Sequence, residues 1–211
     1  MNLDTDENKS QIEHICNSIL PFLNIGYLNK ILENFSKDIW NWNRHLHRDL
    51  VKGVEGENNG QKFARILRLD CYSDKRNKLE EEFRDFILLS ERYKHLKKVL
   101  DNPDQLANTL RRHTERVEWQ IRRIYRTRNL IVHDGETPSY TEFLIENLHE
   151  YLDSVMNSLM KLAARNYTIN TIDQGFKLAE INYQAYLEKL KEKNLTFNEQ
   201  NLTKLLFQEL I

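Results

Sequence analysis

Glycine and proline are scarce in this sequence, which has six glycines and three prolines among 211 residues. An all-β domain of this length needs many tight turns, and tight turns need more of both residues. The two glycine-rich phosphate-binding patterns, GxGxxG and GxxxxGK[ST], are also absent from the sequence, and α/β nucleotide-binding folds depend on them. These absences exclude both classes and predict an all-α protein built from long helices.

Paired cysteines and long apolar runs are missing as well. Cys16 and Cys71 have no CxxC or CxxH neighbour, so we expect reduced thiols packed as small hydrophobic groups, with no disulfide, metal site or other cofactor. No stretch of 18 apolar residues and no signal-peptide pattern occurs, which predicts a cytoplasmic protein with no membrane association. The net charge of −1 does not by itself indicate a nucleic-acid partner.

Helical periodicity extends over nearly the whole chain and predicts one all-α domain, 1–211. A loop at 53–60, which holds three of the six glycines, separates a helical part at 1–52 from the rest of the chain. The core of the domain is predicted at about 61–165. Weaker amphipathic helices are expected to follow in 166–211.

Helix boundaries and packing can also be predicted from the pattern. We expect the first helix to stop at Pro21 and the next helical stretch to break near Ser36. Strong apolar periodicity with short connections marks three later helices. We expect these three to form the packed centre of the domain, near 76–100, 105–132 and 139–163.

The helix predicted at 105–132 differs in charge from all the others. Between Thr109 and Arg128 the sequence has seven arginines, two glutamates and no lysine. The planar guanidinium fork matches the oxygens of a phosphate group and stacks on nucleobases, as a lysine ammonium cannot. Gly135 is expected to end this helix in the left-handed conformation. The arginine excess therefore indicates a phosphate-binding surface, although a run of charges is also typical of a solvated helix face.

Two faces of this helix can be distinguished by their spacing. Val117, Ile121 and Ile124 form an apolar stripe at steps of four and three, and the next step of four reaches Arg128. We therefore expect Arg128 to point inward, which is costly for a charge without a partner or a function. A second face is polar and ends at the helix C-terminus; its members are Arg122, Arg126, Asn129 and His133.

The end of the helix carries the motif RNLIVH at 128–133, within the string IYRTRNLIVHDG at 124–135. An arginine followed by a polar residue, three further residues and a histidine resembles the motif of the HEPN superfamily. The whole string resembles the Apea-like HEPN domains of bacterial anti-phage proteins. The resemblance is close over about 105–160 and architectural over 61–104. It implies an all-α helical bundle, commonly dimeric, that cleaves RNA without a metal ion.

The resemblance also implies a role for individual residues. Arg128, Asn129 and His133 match the catalytic positions of the family. An imidazole takes up and releases protons near neutral pH, so His133 is expected to move protons. Arg128 is expected to stabilise the negative charge of the transition state, and Asn129 to orient the histidine or hold a phosphate oxygen. The expected RNA-binding residues are Arg122, Arg126 and Arg123, which hold the backbone, and Tyr125, which stacks on a base.

The geometry of the motif bears on the oligomeric state. Residues five apart on an ideal helix point about 140° apart, so Arg128 and His133 cannot both face one phosphate unless the last turn unwinds near Asp134 and Gly135 or the long side chains wrap around the helix. A two-fold dimer with both motifs at its interface would form a composite cleft. The family resemblance implies the same arrangement. It further implies a toxin or anti-phage protein, held in check by a regulatory domain or an antitoxin.

Two other interpretations remain open at this point. The chain could be a catalytically silent HEPN module that binds RNA or a partner protein through the same basic face. It could also be a structural helical adaptor without a nucleic-acid ligand. The silent module predicts salt-sensitive RNA binding without cleavage, whereas the adaptor predicts neither.

The remaining histidines and tryptophans suggest structural roles. His45 and His47 lie two residues apart, and on a helix such residues face in nearly opposite directions and cannot hold one metal ion. We expect both to lie on the surface. Trp40, Trp42 and Trp119 are expected to anchor the core or an interface.

Overall fold

The computed structural model describes residues 4–165, 169–193 and 195–207. All regular structure in these ranges is helical, with no β-strand, so the all-α prediction is confirmed. The helices are α1 (Asp4–Ile25), α2 (Tyr27–Trp42), α3 (Arg44–Val51), α4 (Asn59–Arg68), α5 (Ser73–Glu82), α6 (Ile87–Val99), α7 (Pro103–Asn129), α8 (Thr141–Arg165), α9 (Ile172–Leu190) and α10 (Leu202–Leu206). A 3₁₀ turn at Asp70–Tyr72 precedes α5, and a π turn at Leu130–Asp134 follows α7.

The chain divides into two compact units. Unit 1 draws its described residues from 4–25 and 111–185, and unit 2 from 26–110 and 186–207. Segments distant in sequence meet in each unit, so the predicted core at 61–165 contributes residues to both. The single-domain organisation stays a prediction.

Unit 2 is centred on α2, whose most extensive packing is against α4. Apolar residues of α2 recur at steps of four and three, which places one stripe of the helix inward; the buried members are Leu28, Leu32, Phe35 and Ile39. Phe35 packs edge-to-face on Phe63 of α4, with ring centroids 5.6 Å apart. The helix predicted at 76–100 is two helices, α5 and α6, and the buried Phe83 lies where they separate. The prediction of the packed centre therefore left out α2 and α4, which form the core of unit 2.

In unit 1, α1 packs most extensively against α8, and it also shares an apolar cluster with α7. Helices α1 and α7 are antiparallel, because Asn24 contacts Thr114 at one end and Gln11 contacts Tyr125 at the other. Their shared cluster consists of Ile12, Cys16, Leu20, Leu23, Val117 and Ile121. Burial raises the pKa of the Cys16 thiol, as expected for a packed apolar group. Cys71 is exposed, so the prediction of packed thiols holds for Cys16 and is wrong for Cys71.

Helix α8 and the part of α9 up to Ala185 complete unit 1. Phe22 of α1 meets Phe176 of α9 edge-to-face at a centroid distance of 5.1 Å. Gly175 lets α9 approach α8 closely, since a Cβ atom at this position would lie 2.7 Å from the side chain of Leu159. A side chain at position 175 would therefore force the end of the Leu159 side chain to shift.

Both helix breaks predicted near the amino terminus are wrong. Pro21 lies inside α1 and does not end it; the missing N–H weakens one turn, but the buried Leu20, Phe22 and Leu23 hold the segment helical. The break in the next stretch occurs at Asn43, whose side-chain oxygen accepts a hydrogen bond from the Leu46 N–H at 3.0 Å and caps α3. Ser36 is buried inside α2.

His47 is also not where the sequence predicted it. His45 is exposed, but His47 is buried, with its Nε2 atom 2.8 Å from the Ser36 hydroxyl and its ring edge-on to Trp40. Its Nδ1 atom has no hydrogen-bond partner in the part of the chain that the structure describes. Burial lowers the pKa of His47, because a protonated ring would lose hydration without gaining a partner.

The stability of unit 2 is therefore expected to decrease as the pH is lowered. An unfolded histidine takes up a proton as the pH falls through about 6.5, whereas folded His47 resists it, so the unfolded chain gains a stabilising proton that the native state lacks. The free energy of unfolding then decreases below pH 6.5, and the decrease at pH 5.5 is at most about 1.4 kcal/mol.

Urea unfolding followed by tryptophan fluorescence at pH 7.5 and 5.5 measures this loss. His47→Gln should flatten the pH dependence, and the control variant His45→Gln, at the exposed neighbour, should keep it. An unchanged pH dependence in His47→Gln would contradict the assignment.

Candidate functional site

The backbone changes conformation where α7 ends. The α-helical hydrogen bonding stops at Asn129, a π turn covers Leu130–Asp134, and Gly135 follows with φ of +69°. The Gly135 N–H bonds to the Leu130 carbonyl and closes the turn. The prediction that Gly135 ends the helix in the left-handed conformation is confirmed.

The π turn changes the angle between the two ends of the RNLIVH motif. Hydrogen bonds in a π turn join residues five apart, so each residue rotates the chain by less than the ~100° of an α-helix. Arg128 and His133 are five apart; His133 lies within the π turn, and Arg128 lies two residues before its start. They therefore point in more similar directions than the ~140° of a regular helix allows. His133 is exposed within this turn.

Arg128 is exposed, so the expectation that it points into the core is wrong. The apolar stripe remains buried at Val117 and Ile121 but reaches the surface by Arg128. The Arg128 Nη1 atom donates a hydrogen bond to the Asn129 side-chain oxygen at 3.0 Å. In this structure Asn129 thus orients the guanidinium of Arg128.

An apolar groove of about 530 Å³ opens beside Arg128 in unit 1. Helices α1, α7, α8 and α9 supply its walls, and Arg128 is the one charged side chain among the described residues that line it. The α8 wall repeats at steps of four, and its exposed members are Leu148, Leu152 and Met156. Apolar surface of this kind is unusual on a monomer and typically marks an interface.

The expected RNA-binding residues lie in three different environments. Arg122 forms an ion pair with Glu118 at 2.7 Å, which raises the pKa of its guanidinium. Arg126 is exposed and makes no ion pair within the described part of the chain. Tyr125 is half-buried against the α1 cluster, and its hydroxyl lies 3.3 Å from the Gln11 side-chain oxygen.

Arg123 contacts two aromatic residues that the sequence analysis did not assign to the site. Its guanidinium lies 4.3 Å from the ring centroid of Tyr140 and 5.5 Å from that of Trp119. Trp119 is 61% exposed, so it does not anchor the core of unit 1, and its role at an interface stays a prediction. The spacing of four between Trp119 and Arg123 was a signal for this contact. No such signal marked Tyr140 in the sequence, because the position of this residue depends on the turn that follows Gly135.

Neither a metal cluster nor a membrane span appears in the described ranges. Residues 4–165, 169–193 and 195–207 contain no group of three or more His, Cys, Asp or Glu side chains placed to hold an ion. Within the same ranges, every helix is too short or too polar to cross a bilayer. Comparisons with family models, with curated proteins and with solved structures found no match for this chain.

Proposed function

We propose that the chain is a HEPN-type, metal-independent endoribonuclease that acts in the cytoplasm as an anti-phage protein or a toxin. One observation carries the proposal: a π turn at the end of an arginine-rich helix exposes His133, while Asn129 orients the exposed guanidinium of Arg128. π turns inside helices occur frequently at functional sites. An antitoxin or a regulatory domain would restrain such an activity.

The proposed chemistry needs only groups that the chain and the RNA supply. The 2′-oxygen of a ribose attacks the adjacent phosphorus, and the bond from phosphorus to the 5′-oxygen of the next nucleotide breaks. The 2′-hydroxyl loses a proton and the departing 5′-oxygen gains one, so the products are a 2′,3′-cyclic phosphate and a 5′-hydroxyl. His133 moves protons in this reaction, and Arg128 stabilises the charge that develops on the phosphorane oxygens.

The other arginines of α7 bind the RNA on either side of the cleaved bond. Arg126 contributes a guanidinium without a competing ion pair among the described residues. Arg122 must share its charge between the RNA and Glu118. We therefore expect Arg126 to contribute more to RNA affinity and to its salt dependence than Arg122.

A dimer would complete this site. The groove beside Arg128 leaves Leu152 and Met156 about half exposed, and a second copy seated there would bury this surface. The same contact brings the partner's RNLIVH motif close to Arg128 and forms a composite cleft.

The dimer is expected to depend on Leu152. Leu152→Glu places a charge in the groove, so it should shift the protein to monomer at micromolar concentration and reduce cleavage in parallel. Ile181→Glu is the matched control, because Ile181 is an exposed aliphatic residue of unit 1 outside the groove. Analytical ultracentrifugation measures the change; a wild-type protein that is strictly monomeric and fully active would contradict the composite cleft.

The proposed activity can be tested by incubation with unstructured RNA in EDTA. Cleavage of the RNA, with no cleavage of DNA of the same sequence, supports a reaction that uses the 2′-hydroxyl and no metal ion. A silent module that binds RNA without cleaving it is the second candidate. Trp119 and Arg123 lie well before His133 along α7, so RNA bound at these two side chains need not reach His133. The silent module predicts salt-sensitive RNA binding with the RNA left intact.

A further inference from the structure

Trp119 lies in a regular stripe along the outer face of α7. Steps of four and three place it on the same side of the helix as four arginines, and this stripe consists of Arg112, Arg116, Trp119, Arg123 and Arg126. Arg112, Arg116, Trp119 and Arg126 are exposed, and Arg123 is half-buried. At ~1.5 Å per residue the stripe is about 21 Å long. An exposed indole thus sits in the middle of a row of arginine side chains.

The contacts of Arg123 give this stripe a defined aromatic centre. Its guanidinium lies 4.3 Å from the Tyr140 ring centroid and 5.5 Å from the Trp119 ring centroid. Arg123 is therefore in contact distance of two π systems, which limits its side-chain motion. An indole, a planar guanidinium and a phenol ring together form a surface suited to stacking against a flat, π-rich ligand.

We propose that Trp119 is a stacking platform for an unpaired RNA base, and that the substrate is accordingly single-stranded. This inference rests on the proposed RNA substrate and specifies its class. Arginines alone would suit any phosphate-rich ligand, but they do not explain an indole that is 61% exposed among them. The bases of a duplex are stacked on one another and cannot reach such a ring, whereas the bases of a single strand can.

The platform lies away from the proposed chemistry. Trp119 and Asn129 are ten residues apart, or about 15 Å along the helix axis. A base stacked on Trp119 therefore belongs to a nucleotide flanking the cleaved bond. Loss of the platform should weaken RNA binding while the rate of cleavage at saturating RNA is preserved.

Fluorescence polarisation with an unstructured oligonucleotide of about 12 nucleotides tests the platform. The His133→Ala background slows cleavage, so that binding is measured before the RNA is cut. In this background Trp119→Leu should weaken binding about 5- to 150-fold, the range expected for one stacked base, and Trp119→Phe should retain most of the affinity. Because no charge is removed, the salt dependence of Trp119→Leu should equal that of the parent, whereas Arg126→Ala should reduce the slope by about one.

Phe143→Leu is the matched control, since Phe143 is also an exposed aromatic residue of unit 1 but lies outside the stripe; its affinity should stay unchanged. The parent should also bind the single strand more tightly than the same strand annealed to its complement. Unaltered affinity in Trp119→Leu, together with weaker binding by Arg126→Ala, would overturn the platform and leave RNA binding intact. The platform would also be overturned if Trp119→Leu reduced the affinity for single-stranded RNA and for duplex RNA by the same factor. A parent that binds no RNA would overturn the proposed function itself.

Discussion

His133→Ala is expected to slow single-turnover cleavage of saturating RNA by about 100- to 10,000-fold, the usual contribution of a positioned proton-transfer group. RNA affinity should be nearly unchanged, because the basic side chains of α7 remain. His133 is exposed in the π turn, so the substitution leaves no cavity and no unpaired buried group. The rate constant and the Kd, measured on the same preparation, separate the two effects.

His149→Ala serves as the control for this result. His149 is an exposed histidine of α8 in the same unit, and its removal should leave the rate unchanged. Circular dichroism should show the same helix content for both variants and the wild type. A wild-type rate from folded His133→Ala would remove His133 from the mechanism and favour the silent module.

Arg128→Ala should slow cleavage by about 100- to 1,000-fold, since one charged donor to a developing oxyanion contributes ~3 kcal/mol or more. The structure also predicts its effect on folding. Arg128 is exposed, and its described hydrogen bond joins it to the neighbouring Asn129. The free energy of unfolding should therefore change by less than about 0.5 kcal/mol.

Two further variants separate charge from geometry at this position. Arg128→Lys keeps the charge but loses the planar fork that Asn129 orients, so it should recover only part of the rate. Arg111→Ala removes an exposed arginine of the same helix that is paired with Glu115, and cleavage at saturating RNA should be preserved. Equal rates for Arg128→Ala and Arg111→Ala would show that Arg128 contributes only general positive charge.

Local features of the sequence predicted the end of α7 to within a few residues. Gly135 was expected to end the helix, and it adopts the left-handed conformation. The regular α-helix stops earlier than the predicted residue 132, at Asn129, because a π turn comes before the glycine. Scarce glycine and proline also predicted the all-α class correctly. These features depend on short-range backbone preferences, which a sequence displays directly.

Features that depend on tertiary packing were not predictable in the same way. Periodicity placed Arg128 on the inward stripe, but the stripe opens onto a groove at that level. His47 is buried because Ser36 and Trp40 meet it from the preceding helix. Tyr140 reaches Arg123 only through the turn after α7. Each of these contacts joins residues whose proximity no spacing within one helix reveals.

The central claim is that the RNA's own 2′-hydroxyl is the nucleophile, with His133 and Arg128 as the groups that promote its attack. The most direct measurement uses two otherwise identical RNA oligonucleotides incubated with the wild-type protein in EDTA, one of which carries a single 2′-deoxyribose at the cleaved position. We expect the unmodified strand to be cut to a 2′,3′-cyclic phosphate and a 5′-hydroxyl, and the modified strand to stay intact at that position. Cleavage of the deoxy-substituted bond, or of neither strand under any salt condition at which the RNA is bound, would contradict the account.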